Sequence, residues 1–171
     1  MDEPVPASHP EPAERSAPIE PSEPAERPRR NALLPCVLAW ALPGLGHLSL
    51  GRTARAVAFF VVVTATFGLG LASGGTASVV DPQQPLSYLA TFDNLALGPL
   101  DLVGRSVSLG GLVYRLPEEE SNPQRQAVMN RMRDRVRLPT YEYGSTFLLT
   151  AGLMNILLIL DAFDIARGRK D

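Results

Sequence analysis

Uncharged hydrophobic residues are concentrated in three stretches of the chain, at residues 31–51, 56–80 and 143–160. Built as helices at about 1.5 Å per residue, these stretches are roughly 27 to 38 Å long, and the hydrocarbon core of a bilayer is about 30 Å thick. A soluble domain of 171 residues rarely contains three such runs. The pattern therefore predicts an all-α membrane protein, a small helical bundle of two to four membrane segments.

The first stretch is interrupted near its middle by Pro43 and Gly44. Proline removes a backbone hydrogen bond, which predicts a short helix, a break at 43–46 and a second short piece that enters Arg52. A broken helix persists at membrane depth only where protein or water satisfies the freed backbone groups, so this stretch is the weakest candidate span. The stretch 56–80 is the best candidate for a complete crossing.

Small residues recur every four positions along the second stretch. Such spacing lets the backbone of another helix approach closely. It predicts a helix-packing surface, used within the chain or in a homo- or hetero-oligomer. The residues of this predicted surface are Thr64, Gly68, Gly70, Ala72 and Gly74.

A basic amphipathic helix is predicted at about residues 122–138. Asn122 is suited to the N-cap, Pro123 to the first helical position, and Pro139 ends the segment. An apolar face of about 100° with arginines on both sides is typical of a helix lying in the membrane interface. The alternative is a helix packed on a soluble subdomain. The predicted membrane-interface residues are Arg131, Arg133, Arg135, Arg137, Tyr141 and Tyr143.

These arginines favour a bilayer containing anionic lipids as the partner of the chain. Nucleic acid is not predicted, because no aromatic stacking platform accompanies the basic residues. Between the second stretch and this helix, moderately apolar pieces are interrupted by Asp81, Asp93, Asp101 and Arg105. Glycines also break any long helix there, so residues 81–115 are predicted to form short helices that lie on the surface or insert partly.

The chain also divides into regions of different composition. Residues 1–30 contain eight of the sixteen prolines, seven acids and four arginines, and almost no large apolar side chain. Such a segment cannot bury enough surface to fold, so we expect a disordered tail without a signal peptide. The tail is followed by membrane helices with a turn (31–80), an inserted region (81–142) and a C-terminal membrane helix with a basic end (143–171).

Basic residues collect at 27–30, 52–55, 125–137 and 167–170. The tendency of basic residues to remain in the cytoplasm would place all four groups on one side of the membrane. We therefore predict that both termini are cytoplasmic. Fifteen arginines against one lysine are associated with bacterial genomes of high GC content, which indicates a bacterial inner membrane.

Two motifs carry a resemblance to a known family. "PGLGHLSLGR" and the later "GLMNILLILDAFDIARGRK" resemble the two-transmembrane-helix domain family, and more closely small uncharacterised bacterial membrane proteins with the same turn and C-terminal end. Ser49 replaces an aromatic residue of the family, and residues 74–143 separate motifs that are neighbours there. The resemblance implies two membrane helices joined by the turn and no enzymatic activity. Its matching positions are Gly44, Gly46, His47, Leu50, Gly51, Arg52 and Asp161.

The predicted role is structural or interaction-based, through packing of small-residue helix faces. The alternative is a proton- or ion-coupled transport accessory that uses His47 with Asp161 and Asp164, and an intramembrane hydrolase is less favoured because no third activating group accompanies His47 and Ser49. We expect Arg52 or Arg55 to pair with Asp161 and His47 to share its proton. No catalytic residue, metal ligand or cofactor is predicted. The candidate residues are Pro43, Gly44, Gly46, His47, Gly51, Arg52, Arg55, Asn155, Asp161 and Asp164.

Overall fold

The computed structural model describes residues 31–169, and the predicted tail at 1–30 lies outside this range. The described residues form helices joined by turns, which confirms the all-α class. One isolated parallel bridge joins Val80 to Arg115. The helices are α1 (Leu33–Ala41), α2 (Leu45–Ser49), α3 (Thr53–Ala72), α4 (Leu86–Leu95), α5 (Pro99–Leu109), α6 (Pro123–Val136) and α7 (Tyr141–Ala166).

Helices α3 and α7 form an antiparallel pair at the centre of the fold. Just before α3, His47 contacts Asp161 near the end of α7, and at the other end Gly75 lies against Gly144 near the start of α7. We call these the His47 end and the Gly144 end. Within the described residues, α3 and α7 are the two helices that are long and apolar enough to cross a membrane. Their shared core contains Val63, Phe67, Leu97, Leu148, Ala151 and Leu158.

Helices α1 and α2 form a hairpin that enters from the His47 end. The structure places the predicted break at 42–44, where Gly44 has φ +89° and leaves no room for a side chain beside the Ala56 carbonyl. Helix α1 runs along α7 until its Ala39 carbonyl accepts a hydrogen bond from Asn155. The hairpin therefore reaches only part of the way along the central pair.

Helices α4 and α5 form a second hairpin, which enters from the Gly144 end. Its turn is at Gly98, whose φ is +60° and whose backbone packs directly on the Trp40 carbonyl. The Ala96 carbonyl accepts a hydrogen bond from Asn155, so the tips of both hairpins meet at this residue. The structure has two short helices within 81–115, α4 and α5, and their surface or partly inserted position in a membrane stays a prediction.

Helix α6 caps the Gly144 end. The Asn122 side chain accepts from the Gln124 N–H at 2.9 Å, and Pro123 is the first helical residue, as the sequence predicts. The apolar face of α6 is covered by protein rather than left free for lipid, and only Val136 of that face remains largely exposed. The structure thus matches the alternative interpretation, a helix packed on a subdomain. Its cover consists of Ala77, Val79, Leu109 and Leu116, against which Val128, Met129 and Met132 pack.

The predicted headgroup arginines of α6 are divided between two roles. Arg131 donates to the Leu109 carbonyl and Arg135 to the Val107 carbonyl at 2.8 Å, so both bind the C-terminal end of α5, where a cation is favoured by the helix dipole. Arg133 and Arg137 point away from the fold and are exposed. Arg131 and Arg135 thus use donors within the protein, and the membrane-interface position of the four arginines stays a prediction.

The basic residues that the structure describes lie at two opposite ends. Arg52, Arg55 and Arg167 flank the His47 end, whereas α6 packs beside Gly75 and the start of α7 at the Gly144 end. Because α3 and α7 are antiparallel, the start of α3 and the end of α7 both lie at the His47 end. The group at 125–137 thus lies at the opposite end of the helix pair from the group at 52–55, and the prediction that all basic groups share one side of a membrane stays a prediction.

The predicted small-residue surface is also divided. Gly70 packs tightly on Leu148 and Gly144, and Gly74, which follows the end of α3, packs on Leu138. Gly68 meets nothing within 4 Å, and Ala72 is exposed. One part of the pattern thus serves the α3–α7 contact, and the other part faces outward.

Candidate functional site

A histidine–aspartate contact closes the His47 end. Nε2 of His47 lies 3.0 Å from Oδ2 of Asp161, and the histidine side chain is fully buried while 27% of the aspartate side chain is exposed. The histidine ring meets the ring of Phe59 edge to face, with centroids 4.9 Å apart. Within the described residues Nδ1 of His47 is buried without a hydrogen-bond partner. The ring is held rigidly, with one nitrogen on the carboxylate.

The short helix α2 positions this histidine. Gly46 lies where a side chain would collide with the Pro35 carbonyl and with Ala39, so only glycine lets α2 approach α1 and α7. The backbone N–H of Arg52 donates to the His47 carbonyl at 2.9 Å and fixes the turn into α3. Gly51 has φ +80° and open space around it, so its backbone conformation is what favours glycine there.

The charged residues around this contact bear on the predicted pairing of Asp161 with Arg52 or Arg55, which stays a prediction. His47 is one partner that the structure describes for Asp161. Arg55 and Asp161 each have a further interaction, so neither is a free charge. Asp164 lies 3.6 Å from Arg169 at the basic end of α7. The sharing of a hydrogen bond between His47 and Asp161 agrees with the expected contact between the two sequence motifs.

Asn155 occupies the meeting point of the two hairpins. Its side chain is fully buried, and Nδ2 donates to the Ala96 carbonyl at 2.7 Å and to the Ala39 carbonyl at 3.3 Å. Nearby, the Trp40 indole N–H donates to the Leu95 carbonyl at 3.0 Å. Asn155 Oδ1 is buried and has no partner among the described residues. The residue therefore joins three helices through its amide protons.

Asp93 interrupts a moderately apolar piece of the sequence, and the structure gives it a half-buried position against α7. Its carboxyl group lies directly against the backbone of Gly152 in α7, and its Oδ2 is buried without a hydrogen-bond partner in the described part of the chain. The signal available in the sequence is an acid inside the otherwise uncharged helix "LSYLATFDNL".

A buried ion pair inside α5 was also missed. Arg105 donates from Nε to Asp101 at 2.8 Å, and both side chains are at most 1% exposed. Nη1 of Arg105 donates to the Ser78 and Val113 carbonyls, and the guanidinium lies 4.0 Å from the centre of the Tyr114 ring. Burial, and then the nearby Asp101 charge, raise the pKa of the Tyr114 phenol. The signal is an Asp–Arg pair at i,i+4, which here fixes two loops that support α6.

The remaining chemistry of the described residues is limited. Residues 31–169 contain no group of three His, Cys, Asp or Glu side chains that could hold a metal ion. Ser49 donates its hydroxyl proton to the Gly46 carbonyl at 2.7 Å, which directs it to the backbone. Tyr143 is 68% exposed near the start of α7, and Tyr141 is half-buried beside it.

Comparisons with known proteins add a family but no activity. No curated protein and no solved structure matches the chain. The resemblance to the two-transmembrane-helix domain family is not confirmed by these comparisons and stays a prediction. A family profile matches residues 34–171, which is more than half of the chain, and the chain therefore belongs to the family of unknown function DUF6677.

Proposed function

We propose that this chain is an integral membrane protein with a structural or interaction role, and that α3 and α7 cross the bilayer. The observation that carries the proposal is the exposure of apolar side chains along both helices. In the most apolar 18-residue part of each helix, only 22% of the residues of α3 and 33% of those of α7 are buried. Core helices of a soluble protein are buried on most sides, whereas these helices face outward with large apolar groups.

The exposed groups include Val57, Leu69, Leu153 and Leu157, each more than half exposed. Burying one such side chain stabilises a protein by about 1.5–3 kcal/mol, so a surface made of many of them is strongly unfavourable in water. A hydrocarbon environment removes this cost. Large apolar side chains are also exposed on α1, α4 and α5, which extends the same surface around the fold.

In this proposal the α1–α2 and α4–α5 hairpins are re-entrant elements. Irregular backbone at membrane depth requires partners inside the protein, and Asn155 and Trp40 supply donors to the hairpin tips. With two crossings, the residues before α3 and the residues after α7 lie on the same side of the membrane. Arg52, Arg55 and Arg167 at the His47 end favour the cytoplasmic side of a bacterial inner membrane, and α6 then lies on the opposite side.

The interaction surfaces in this proposal lie in two places. Within the bilayer, the outward part of the small-residue surface, with Gly68 and Ala72, is open to another helix. Outside it, Arg133 and Arg137 remain exposed on α6 for anionic headgroups or an acidic partner. No enzymatic step is proposed.

The test is membrane extraction followed by cysteine accessibility. Full-length protein should remain in the membrane fraction after alkaline carbonate washing. On a Cys36→Ser background, Glu120→Cys and Arg169→Cys should react with an impermeant maleimide from opposite sides of the membrane. Extraction by carbonate would refute the membrane location, and labelling of both positions from one side would refute the two-crossing arrangement.

A second candidate function is a proton-coupled transport accessory. The His47–Asp161 contact favours it, since a buried imidazole on a partly exposed carboxylate is suited to accept and return a proton at the membrane edge. Proteoliposomes should then show proton uptake that His47→Leu abolishes while the variant remains folded. Equal uptake by protein-free liposomes, wild type and variant would exclude this candidate.

A further inference from the structure

Asp93 lies near the middle of the proposed membrane layer. It packs on Gly152, which is 11 residues from the start of α7 and 14 from its end, or roughly 16 and 21 Å at about 1.5 Å per residue. The outer face of α4 around it is apolar, with Leu89 67% and Phe92 64% exposed. If α7 crosses a bilayer, this carboxyl group is therefore surrounded by protein backbone on one side and hydrocarbon on the other.

Within residues 31–169, no charged group of the elements packed against α4 is described beside this carboxyl. On α7 the nearest titratable residues are Tyr143 and Asp161, each nine residues from Gly152, or about 13 Å along the helix. On α1 the titratable residue is Cys36, whose thiol lies beside the Ile159 carbonyl.

The neighbouring cations are committed elsewhere. Arg105 is bound to Asp101 and to the Ser78 and Val113 carbonyls, and Arg125 lies 3.7 Å from Asp81 beyond the start of α4. On α4 itself the other titratable residue is Tyr88, five positions before Asp93. An ionised Asp93 would therefore be an unpaired charge in a poor solvent, and such a residue inside a membrane protein marks a functional site by default.

We propose that Asp93 is a proton-binding site: its carboxyl group, held between α4 and Gly152 of α7, binds one proton and stays neutral while the α4–α5 hairpin is seated. This inference rests on the proposed membrane location of α7. The buried Oδ2 has no donor, and protonation converts it from an unsatisfied acceptor into a hydroxyl donor. Asn155, one turn further along the same face of α7, has the buried acceptor Oδ1 that also has no described partner.

Release of the proton would couple to the position of the hairpin. The Asp93 backbone carbonyl and carboxyl both touch the Gly152 backbone, so a charge created there must leave the contact to be solvated. Helix α4 continues through Gly98 into α5, whose C-terminal carbonyls hold Arg131 and Arg135 of α6. Deprotonation thus moves the element that supports α6.

The experiment is isotope-edited infrared spectroscopy on full-length protein in lipid nanodiscs. Aspartate labelled with carbon-13 in the carboxyl group identifies protonated side chains by their carbonyl stretch. At pH 7 we expect one protonated component, which Asp93→Asn removes and the control Asp164→Asn leaves unchanged. Absence of the component in the wild type, or its persistence in Asp93→Asn, would overturn the proposal.

A second measurement covers the effect on folding. Because asparagine resembles the neutral acid, Asp93→Asn should fold and should melt at a higher temperature than the wild type at pH 8. A variant that melts lower at pH 8 would show that the charged form is the stabilised one, and would refute the assignment. In the infrared experiment, the protonated carboxyl component should have the same intensity in NaCl and in choline chloride. Its loss in NaCl would identify Asp93 as a sodium ligand instead.

Carbonate extraction of the same preparation separates the two proposals. Protein that stays in the membrane but lacks the protonated component refutes the Asp93 assignment alone. Protein that carbonate removes refutes the membrane location on which the assignment rests.

Discussion

Asp161→Ala alone should destabilise the fold more than Asp161→Ala combined with His47→Leu. The Nδ1 atom of His47 is already buried without a partner, and Asp161→Ala adds Nε2 to the unpartnered imidazole nitrogens, at a cost of about 1–3 kcal/mol for an unsatisfied buried group. His47→Leu removes those nitrogens and leaves a carboxylate whose side chain is already 27% exposed and can be hydrated. We therefore expect Asp161→Ala to be the more harmful single change.

The size of the coupling follows from the same geometry. A hydrogen bond to a charged group contributes about 1.5–3 kcal/mol net, and the exposure of Asp161 places this contact near or below the lower limit. We expect a coupling free energy of about 1–2 kcal/mol, or about 5- to 30-fold in the ratio of folded to unfolded protein. The assay is reversible unfolding in mixed micelles of the wild type, both single variants and the double variant.

A matched control is available one turn further along α7. Asp164 lies at the same end but is described with Arg169, so His47→Leu and Asp164→Ala should be additive. Additive losses for His47→Leu with Asp161→Ala would refute the view that these two motifs hold the His47 end together. Equal coupling to Asp161 and Asp164 would show a general electrostatic effect instead of a specific contact.

Two further predictions concern the packing of the Gly144 end and the hairpins. Gly152→Ala should destabilise the protein by about 1–3 kcal/mol, because the added carbon meets the Asp93 backbone. Gly68→Ala should be neutral or stabilising by up to about 1 kcal/mol, since nothing lies within 4 Å of a carbon added there. Equal shifts in melting temperature for Gly152→Ala and Gly68→Ala would contradict this expected difference. Arg105→Met should cost about 3–5 kcal/mol by leaving Asp101 unpaired, and unchanged protease sensitivity of the α6 region would refute that role.

The features that the sequence predicted correctly depend on short-range rules. Pro43 and Gly44 end α1 because of what proline and a positive φ do to neighbouring backbone, and Asn122 with Pro123 starts α6 for equally local reasons. The two long helices follow from unbroken apolar composition. Each of these predictions required only a few consecutive residues.

The features that were missed depend on contacts between distant segments. The apolar face of α6 resembles an interfacial helix until residues 77–79 and 116 are known to cover it. Arg131 is 22 residues from the carbonyl it binds, and Arg135 reaches a carbonyl 60 residues away at Gly75. Periodicity within α6 cannot distinguish a lipid surface from a protein surface, because both accept the same apolar face and the same arginine stems.

The position of Asn155 explains how two helices can end inside the fold. The last carbonyls of a helix have no partner in their own helix, and α1 and α4 both end beside the middle of α7. An asparagine amide carries two donor protons, and each goes to one of these ends, at Ala39 and Ala96. An aspartate would offer no donor when ionised, and a leucine would leave both carbonyls unsatisfied. Since both donors are committed to the backbone, Asn155 is a structural anchor of the hairpins, and its Oδ1 is an acceptor without a partner among the described residues.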